Sequence, residues 1–190
     1  MGRWASSSWS GRWRVSQSRP ELPRELRTER LLLRQWEASD VDALYAIYRQ
    51  PEFLEHMPAL DRNQTAAQIA RFQQRWREDG FSHWAAVDTP SGRLIGRIGL
   101  IRHHDWPLEA APVEVGWTLD RAYWGRGLAT EGGAASVECW RERLSDDARL
   151  LSITRPMNRR SRAVMERLGM TYRGETQWHG SDVVWYAIDR

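Results

Sequence analysis

Trp124-Gly125-Arg126-Gly127-Leu128-Ala129-Thr130-Glu131 lies between a stretch that alternates like a strand and one that repeats like a helix. Gly125 and Gly127 let the backbone turn sharply and come close to a ligand. The first amides of the following helix lack an internal acceptor and carry the positive end of its dipole. Together these features describe a pyrophosphate cradle, with Arg126 adding a charge. A tight turn with close strand–helix packing is the alternative. Other phosphate motifs fit worse: the dinucleotide fingerprint needs a third glycine at Thr130, and the triphosphate loop needs a Gly-Lys pair that is absent.

Upstream, Val113 to Leu119 alternates, with Val113, Val115, Trp117 and Leu119 on one face and Glu114, Gly116 and Thr118 on the other. Downstream, a helix is predicted from about Gly127 to Arg143, then a strand over Leu150–Thr154 and a helix over Arg159–Leu168 stopped by Gly169. Thr171–Gln177 and Asp182–Ile188 read as closing strands. Toward the N-terminus, Arg30–Trp36 reads as a strand, and Ser39 with Asp42 as a capping box opening a helix. Pro51 and Pro58 read as breaks, and Thr65–Glu78 as a second helix ended by Asp79-Gly80. His83–Asp88 and Arg93–Ile101 flank a Thr89-Pro90-Ser91-Gly92 turn, a hairpin signal. This order implies an α/β domain with a mixed sheet.

The chain has 190 residues, 41% hydrophobic and 28% charged, which suits one soluble domain. No apolar run reaches the roughly 18 residues that a membrane helix needs. All 28 basic residues are arginine, which excludes a lysine Schiff base or a phosphate-loop lysine. The net charge of +3, with acids interspersed, argues against a nucleic-acid tract. The lone Cys139 reads as a small buried hydrophobe in a reducing compartment. Residues 1–26, rich in Trp, Ser and Arg and bounded by Pro20 and Pro23, read as a disordered leader ahead of a domain over 27–190.

The loop resembles the coenzyme A loop of the GNAT acetyltransferases, Gln/Arg-x-x-Gly-x-Gly/Ala, matching at Gly127 and Ala129 and departing at Trp124. A Trp-Gly-x-Gly-x-Ala-Thr-Glu variant is typical of the ribosomal-protein N-terminal acetyltransferase branch. Thr28-Glu29-Arg30-Leu31 with Leu33-Arg34, Glu114-Val115-Gly116-Trp117, Pro156-x-Asn158-x-x-Ser161 and Glu166-x-Leu168-Gly169-Met170 resemble further segments of that branch, in order. The resemblance implies a single-domain fold with a mostly antiparallel sheet, helices on its faces and a splayed central strand pair. It implies acetyl-coenzyme A as cosubstrate, with pantetheine beside Trp117, Thr118 and Leu119 and pyrophosphate on the amides of Trp124, Gly125, Arg126, Gly127, Leu128, Ala129 and Thr130. Asn158 would bond the pantetheine, cap its helix, or do both.

The implied reaction is attack of a neutral amine on the thioester, which needs a base and a donor for the developing oxyanion, such as a backbone amide of the splayed strand. Glu114 is the candidate base or holder of the amine's charge; a structural partner for an arginine is the alternative. Ser161 is the candidate proton donor to the leaving thiolate, or else a helix-surface hydroxyl. Glu131 reads as favourable dipole placement and helix support. His103-His104-Asp105 lacks the spacing of a zinc site and reads as a substrate-side loop or plain surface; no metal is expected. His56 is a substrate candidate, and Trp106 and Trp178 either line the acceptor cleft or lie exposed. The partners expected are acetyl-coenzyme A and an amine, which is a protein N-terminus or a small amine or antibiotic. A coenzyme A-binding module without catalysis is the third reading. The protein is expected to be cytoplasmic, a monomer or homodimer, without a membrane or nucleic-acid partner.

Overall fold

In strands, successive side chains point to opposite faces, so a strand buried on both sides reads apolar throughout. The computed structural model, which describes residues 21–144 and 149–188, places such strands at the centre of one eight-stranded sheet. Along the chain come β1 (Leu26–Arg27), β2 (Leu31–Arg34), α1 (Asp40–Tyr48), α2 (Pro51–Leu54), α3 (Arg62–Glu78), β3 (His83–Asp88), β4 (Arg93–Arg102) and β5 (Val113–Leu119). A 3₁₀ turn (Arg121–Tyr123) leads to α4 (Leu128–Arg143), β6 (Leu150–Thr154), α5 (Arg159–Arg167), β7 (Thr171–Trp178) and β8 (Ser181–Ile188). The spatial order is β1-β2-β3-β4-β5-β6-β8-β7, antiparallel except for β5 beside β6. This is the α/β architecture that the sequence pattern implies, with the mostly antiparallel sheet that the family resemblance implies.

The two faces of β4 separate two cores. Ile98 and Leu100 join the apolar cluster that includes Val137 and Trp140 of α4. Ile101 joins Leu44, Ile47, Ile69 and Phe72 of α1 and α3 on the other face. α4 lies close on the sheet because Gly132 faces it: a methyl there would stand 2.5 Å from Ile98 Cδ1. Cys139 is buried in the same cluster, and burial pushes its thiol pKa up, as a structural cysteine requires.

Four local expectations change. Leu22 is only 2% exposed and its N–H bonds the Gly80 carbonyl, so packed structure begins before residue 27; residues 1–20 of the expected leader lie outside the described residues. The Ser39 capping box does not form, because Ser39 already has helical backbone angles. The buried Asp40 carboxylate accepts instead from the Glu37 N–H and from both Arg34 terminal nitrogens. Pro51 opens α2 rather than ending structure, since proline at the first helical position loses no hydrogen bond. α3 starts at Arg62, three residues early, capped by Asp61 in a reciprocal box with Gln64.

Glu131 does more than complement the dipole of α4. Its carboxylate accepts from Thr28 Oγ1 at 2.5 Å, the Arg30 N–H at 2.8 Å and Arg30 Nε at 2.7 Å, tying β2 to α4. Arg30 NH1 then donates to the Arg126 carbonyl at 2.8 Å, bracing the glycine loop. Burial alone would raise the Glu131 pKa, but the bonds from Thr28 and Arg30 outweigh it and hold the carboxyl below its ordinary value. A depressed carboxyl contributes stability above its unfolded pKa of about 4.3 and loses it as pH falls through the folded value. Glu131→Gln is therefore expected to cost about 1–3 kcal/mol near neutral pH. In thermal melts across pH, the gap between wild type and variant should close as pH drops below about 4.

Candidate active site

β5 and β6 are paired at Val113–Leu150 and Glu114–Leu151, and then part. β5 stays registered on β4 from Gly96–Leu119 to Arg102–Val113, while β6 follows β8 along its whole length. The divergence opens a slot in mid-sheet. At its closed end, Ser152 Oγ donates to the Val115 carbonyl at 2.8 Å, satisfying a group that has lost its strand partner. Strand alternation turns the N–H and C=O of Val113, Val115, Trp117 and Leu119 to this side, as the Val113 N–H bond to Arg149 shows. Trp117 and Leu119 therefore present backbone to the slot, although the Leu119 carbonyl already accepts from Trp124 Nε1. Thr118 does not: it pairs with Arg97 and turns its carbonyl toward β4 against Gly96, so only its side chain can face a ligand.

The slot opens onto the glycine loop. Gly125 and Gly127 have φ of 74° and 79°, in the left-handed region that glycine tolerates best, and Gly127 is the N-cap of α4. The first ladder bond of this helix is Glu131 N–H to the Gly127 carbonyl, which leaves the Leu128, Ala129 and Thr130 amides without helical acceptors. Gly125, Arg126 and Gly127 are exposed. Trp124 does not join the cradle expected of it: its amide donates to the Arg121 carbonyl at 3.2 Å, so the free amides run from Gly125. The Arg121 and Arg160 guanidinium groups both lie over its ring, at 5.2 and 5.0 Å, and Arg126 lies over Tyr123. Loop and slot line one cavity of about 1700 Å³, beyond the roughly 300–1000 Å³ of a single small-molecule pocket. Orphan amides, cationic rim and extended slot fit a long ligand with a phosphate end, which is the form of coenzyme A.

Asn158 and Ser161 line this cavity from the start of α5. Asn158 Oδ1 accepts from the Ser161 N–H at 3.1 Å, which makes it the helix N-cap. Its side-chain NH₂ and the Ser161 hydroxyl have no partner among the described residues, so both remain available to a ligand.

On the face covered by α1 and α3, the register aligns His83, Gly99 and Gly116 across β3, β4 and β5. The His83 carbonyl is fixed by the indole N–H groups of Trp36 and Trp76, and its ring is 5.2 Å from Phe72. A methyl at Gly116 would lie 3.1 Å from His83 Nε2 and 3.5 Å from Glu114 Oε1. Glycine thus keeps side-chain atoms out of a notch where an imidazole and a carboxylate converge. Glu114 is held by His103 Nε2, 2.5 Å from its Oε2, in place of the arginine partner considered from sequence. Arg97 NH1 lies 2.8 Å from His83 Nδ1 and 3.2 Å from Nε2. A guanidinium only donates, so the nearer Nδ1 accepts and the ring proton is assigned to Nε2. Burial, then Arg97, Arg75 and His103, push the His83 pKa well below its ordinary value, so the ring is neutral.

A family model described as "Acetyltransferase (GNAT) domain" matches residues 30–171, a span that holds the slot, the glycine loop and this cluster. The chain belongs to the GNAT acetyltransferase family. It is accordingly an acyltransferase that draws on acetyl-coenzyme A. It is 28% identical over 152 residues to the uncharacterized protein YkkB of Bacillus subtilis (strain 168), covering 78% of this chain and 86% of YkkB. The acetyltransferase from Agrobacterium tumefaciens superposes with a TM-score of 0.73 at 27% identity, covering 87% of this chain and 94% of that one. A ribosomal L7/L12 alpha-N-protein acetyltransferase solved with coenzyme A superposes at 0.67 with 19% identity, covering 88% and 96%; at that identity the likeness speaks for the fold.

Within this GNAT domain, several residues stand where the sequence alone did not put them. His103 is buried rather than a surface loop residue, and stacks edge-on against Trp178 at 4.7 Å. His104 is exposed, with Asp79 3.9 Å away, and no cluster of metal ligands occurs among the described residues. Trp106 is buried rather than exposed, and Trp178 lines the cavity with His56. No described helix is long and apolar enough to cross a membrane.

Proposed function

We propose that this protein transfers the acetyl group of acetyl-coenzyme A to an α-amine seated in the notch at Gly116. The observation that carries this reading is the split between β5 and β6, with orphan amides at one end and Glu114 at the other. Gly125 to Thr130 and Arg126 would hold the pyrophosphate, while Trp117, Leu119 and Asn158 would hold the pantetheine. When bound, acetyl-coenzyme A supplies an activated thioester carbonyl, and transfer forms an amide and releases the free thiol.

Only a neutral amine attacks, so Glu114 Oε1 takes the ammonium proton, directly or through a water in the notch. His103 holds the other carboxylate oxygen and so aims Oε1 at the notch. The neutral His83 offers its Nε2 proton to such a water rather than to the amine, which must keep its one lone pair for the thioester. An amide of the parted β5 edge, at Trp117, is the donor for charge developing on the thioester oxygen. Ser161 is the donor to the departing thiol sulfur.

Within the family we place the chain in the ribosomal-protein N-terminal acetyltransferase branch. The Trp124–Glu131 loop variant and the segments around Thr28, Glu114 and Asn158 support this placement. The test is thiol release from acetyl-coenzyme A by the full chain across N-terminal peptides and small amines. Turnover confined to α-amines is expected. Turnover confined to side-chain amines or amino sugars, or no binding of the cosubstrate, would contradict it.

A further inference from the structure

We infer that the acceptor carries a carboxylate a few bonds from its amine, and that Arg97, Arg75 and Arg71 form the subsite that receives it. The inference rests on the acetyl-transfer reading and names its substrate class. Arg71 and Arg75 stand one turn apart on the side of α3 that lines the cavity, and Arg97 rises from β4 beneath them. Arg97 Nε donates to Tyr48 Oη at 3.1 Å, and its guanidinium carbon is 5.8 Å from the Phe72 ring centre. These contacts fix its position without neutralising it.

Among the described residues, none of these arginines has an acidic partner. The acids that line the cavity are engaged or distant: Glu52 pairs with Arg121 at 3.2 Å, Glu131 with Arg30, and Glu114 with His103, while Glu29 precedes Arg30 at the cradle end. His83, the other group between Arg97 and the notch, is neutral. A half-buried guanidinium has lost part of its hydration, and a carboxylate restores it through charge-assisted bonds that a guanidinium fork matches well.

Spacing sets the chemistry. Arg97 NH1 is 3.2 Å from His83 Nε2, the atom that also borders the notch opposite Glu114. One imidazole therefore separates the cation from the proposed seat of the amine. A carboxylate close to the amine spans that distance. A polyamine or amino sugar would instead bring a cation against three arginines.

Two sources share this chemistry, a free amino acid and a peptide end with an acidic first side chain. The test uses the full chain with acetyl-coenzyme A and matched acceptors: alanine against alaninamide, and a hexapeptide beginning with Asp against one beginning with Asn. Wild type should favour the carboxylate member of one pair by about tenfold or more in kcat/KM, and that pair identifies the source. Arg97→Gln should erase most of this preference through KM. Arg75→Gln, on a helix surface, should reduce it without disturbing the sheet. The inference is overturned if both pairs are used equally, if a diamine is preferred, or if the variants depress both members of a pair alike. Cosubstrate binding without carboxylate preference overturns this inference alone; absence of cosubstrate binding overturns the acetyl-transfer reading beneath it.

Discussion

Gly127→Glu should weaken binding of acetyl-coenzyme A by at least about 100-fold while the protein still folds. The position caps α4 with φ of 79°, so any side chain there is strained by about 1–2 kcal/mol, which a folded domain tolerates. A new Cβ would stand 3.6 Å from Arg30 NH2, an ordinary contact. The charge is what matters. A glutamate at the mouth of the amide cradle competes for the donors that a phosphate needs, and also attracts Arg30 away from Glu131 and the Arg126 carbonyl. Each charge-assisted bond lost is worth about 1.5–3 kcal/mol, so two suffice for the stated loss. Gly127→Ala introduces the strain without the charge and should bind nearly as wild type. Calorimetric titration with coenzyme A, beside thermal melts, separates the two effects. Equal losses in both variants would make the loop a structural turn.

Glu114→Gln should lower kcat by about 100-fold or more, with coenzyme A affinity unchanged and the pH optimum displaced upward. The carboxylate lies on the opposite side of β5 from the apolar residues Val113 and Val115, lines the cavity, and directs Oε1 to the notch at Gly116. Glutamine keeps the size and can still bond His103, but it takes no proton. The variant must then draw its neutral amine from solution, where that form is scarce until pH nears the amine's own pKa. Its rate should climb with pH beyond the point where wild type levels off. An unchanged rate across the pH range would remove Glu114 from the reaction.

The sequence carried the elements that depend on local pattern. Alternation in Val113–Leu119 showed which face holds Glu114, and Gly125 and Gly127 marked a turn whose backbone angles favour glycine. Elements decided by tertiary contacts were hidden. Asp40 rather than Ser39 stabilises the entry to α1 because Arg34 on β2 reaches it, a pairing no local rule supplies. Pro51 was legible as a helix start, since proline suits the first turn, but reads as a breaker beside Pro58.

The acceptor side of the site was the least legible. His83, Gly99 and Gly116 are neighbours only through the pairing register of three strands, and Arg97 meets His83 from the strand between. His103 was masked by its own company: His103-His104-Asp105 resembles a surface or metal motif, yet the first ring turns inward to Glu114 and the second outward. The one available signal was a buried-strand glutamate that needed a partner. It named the need and not the residue.

Backbone amide NMR during a coenzyme A titration reads most directly where coenzyme A lies. The largest shifts should fall on Gly125, Arg126, Gly127, Leu128, Ala129 and Thr130, with a second group at Trp117 and Leu119 along the parted edge of β5. Shifts confined to another face of the sheet, or a saturating titration that leaves the Gly125–Thr130 amides unmoved, would contradict this placement of coenzyme A.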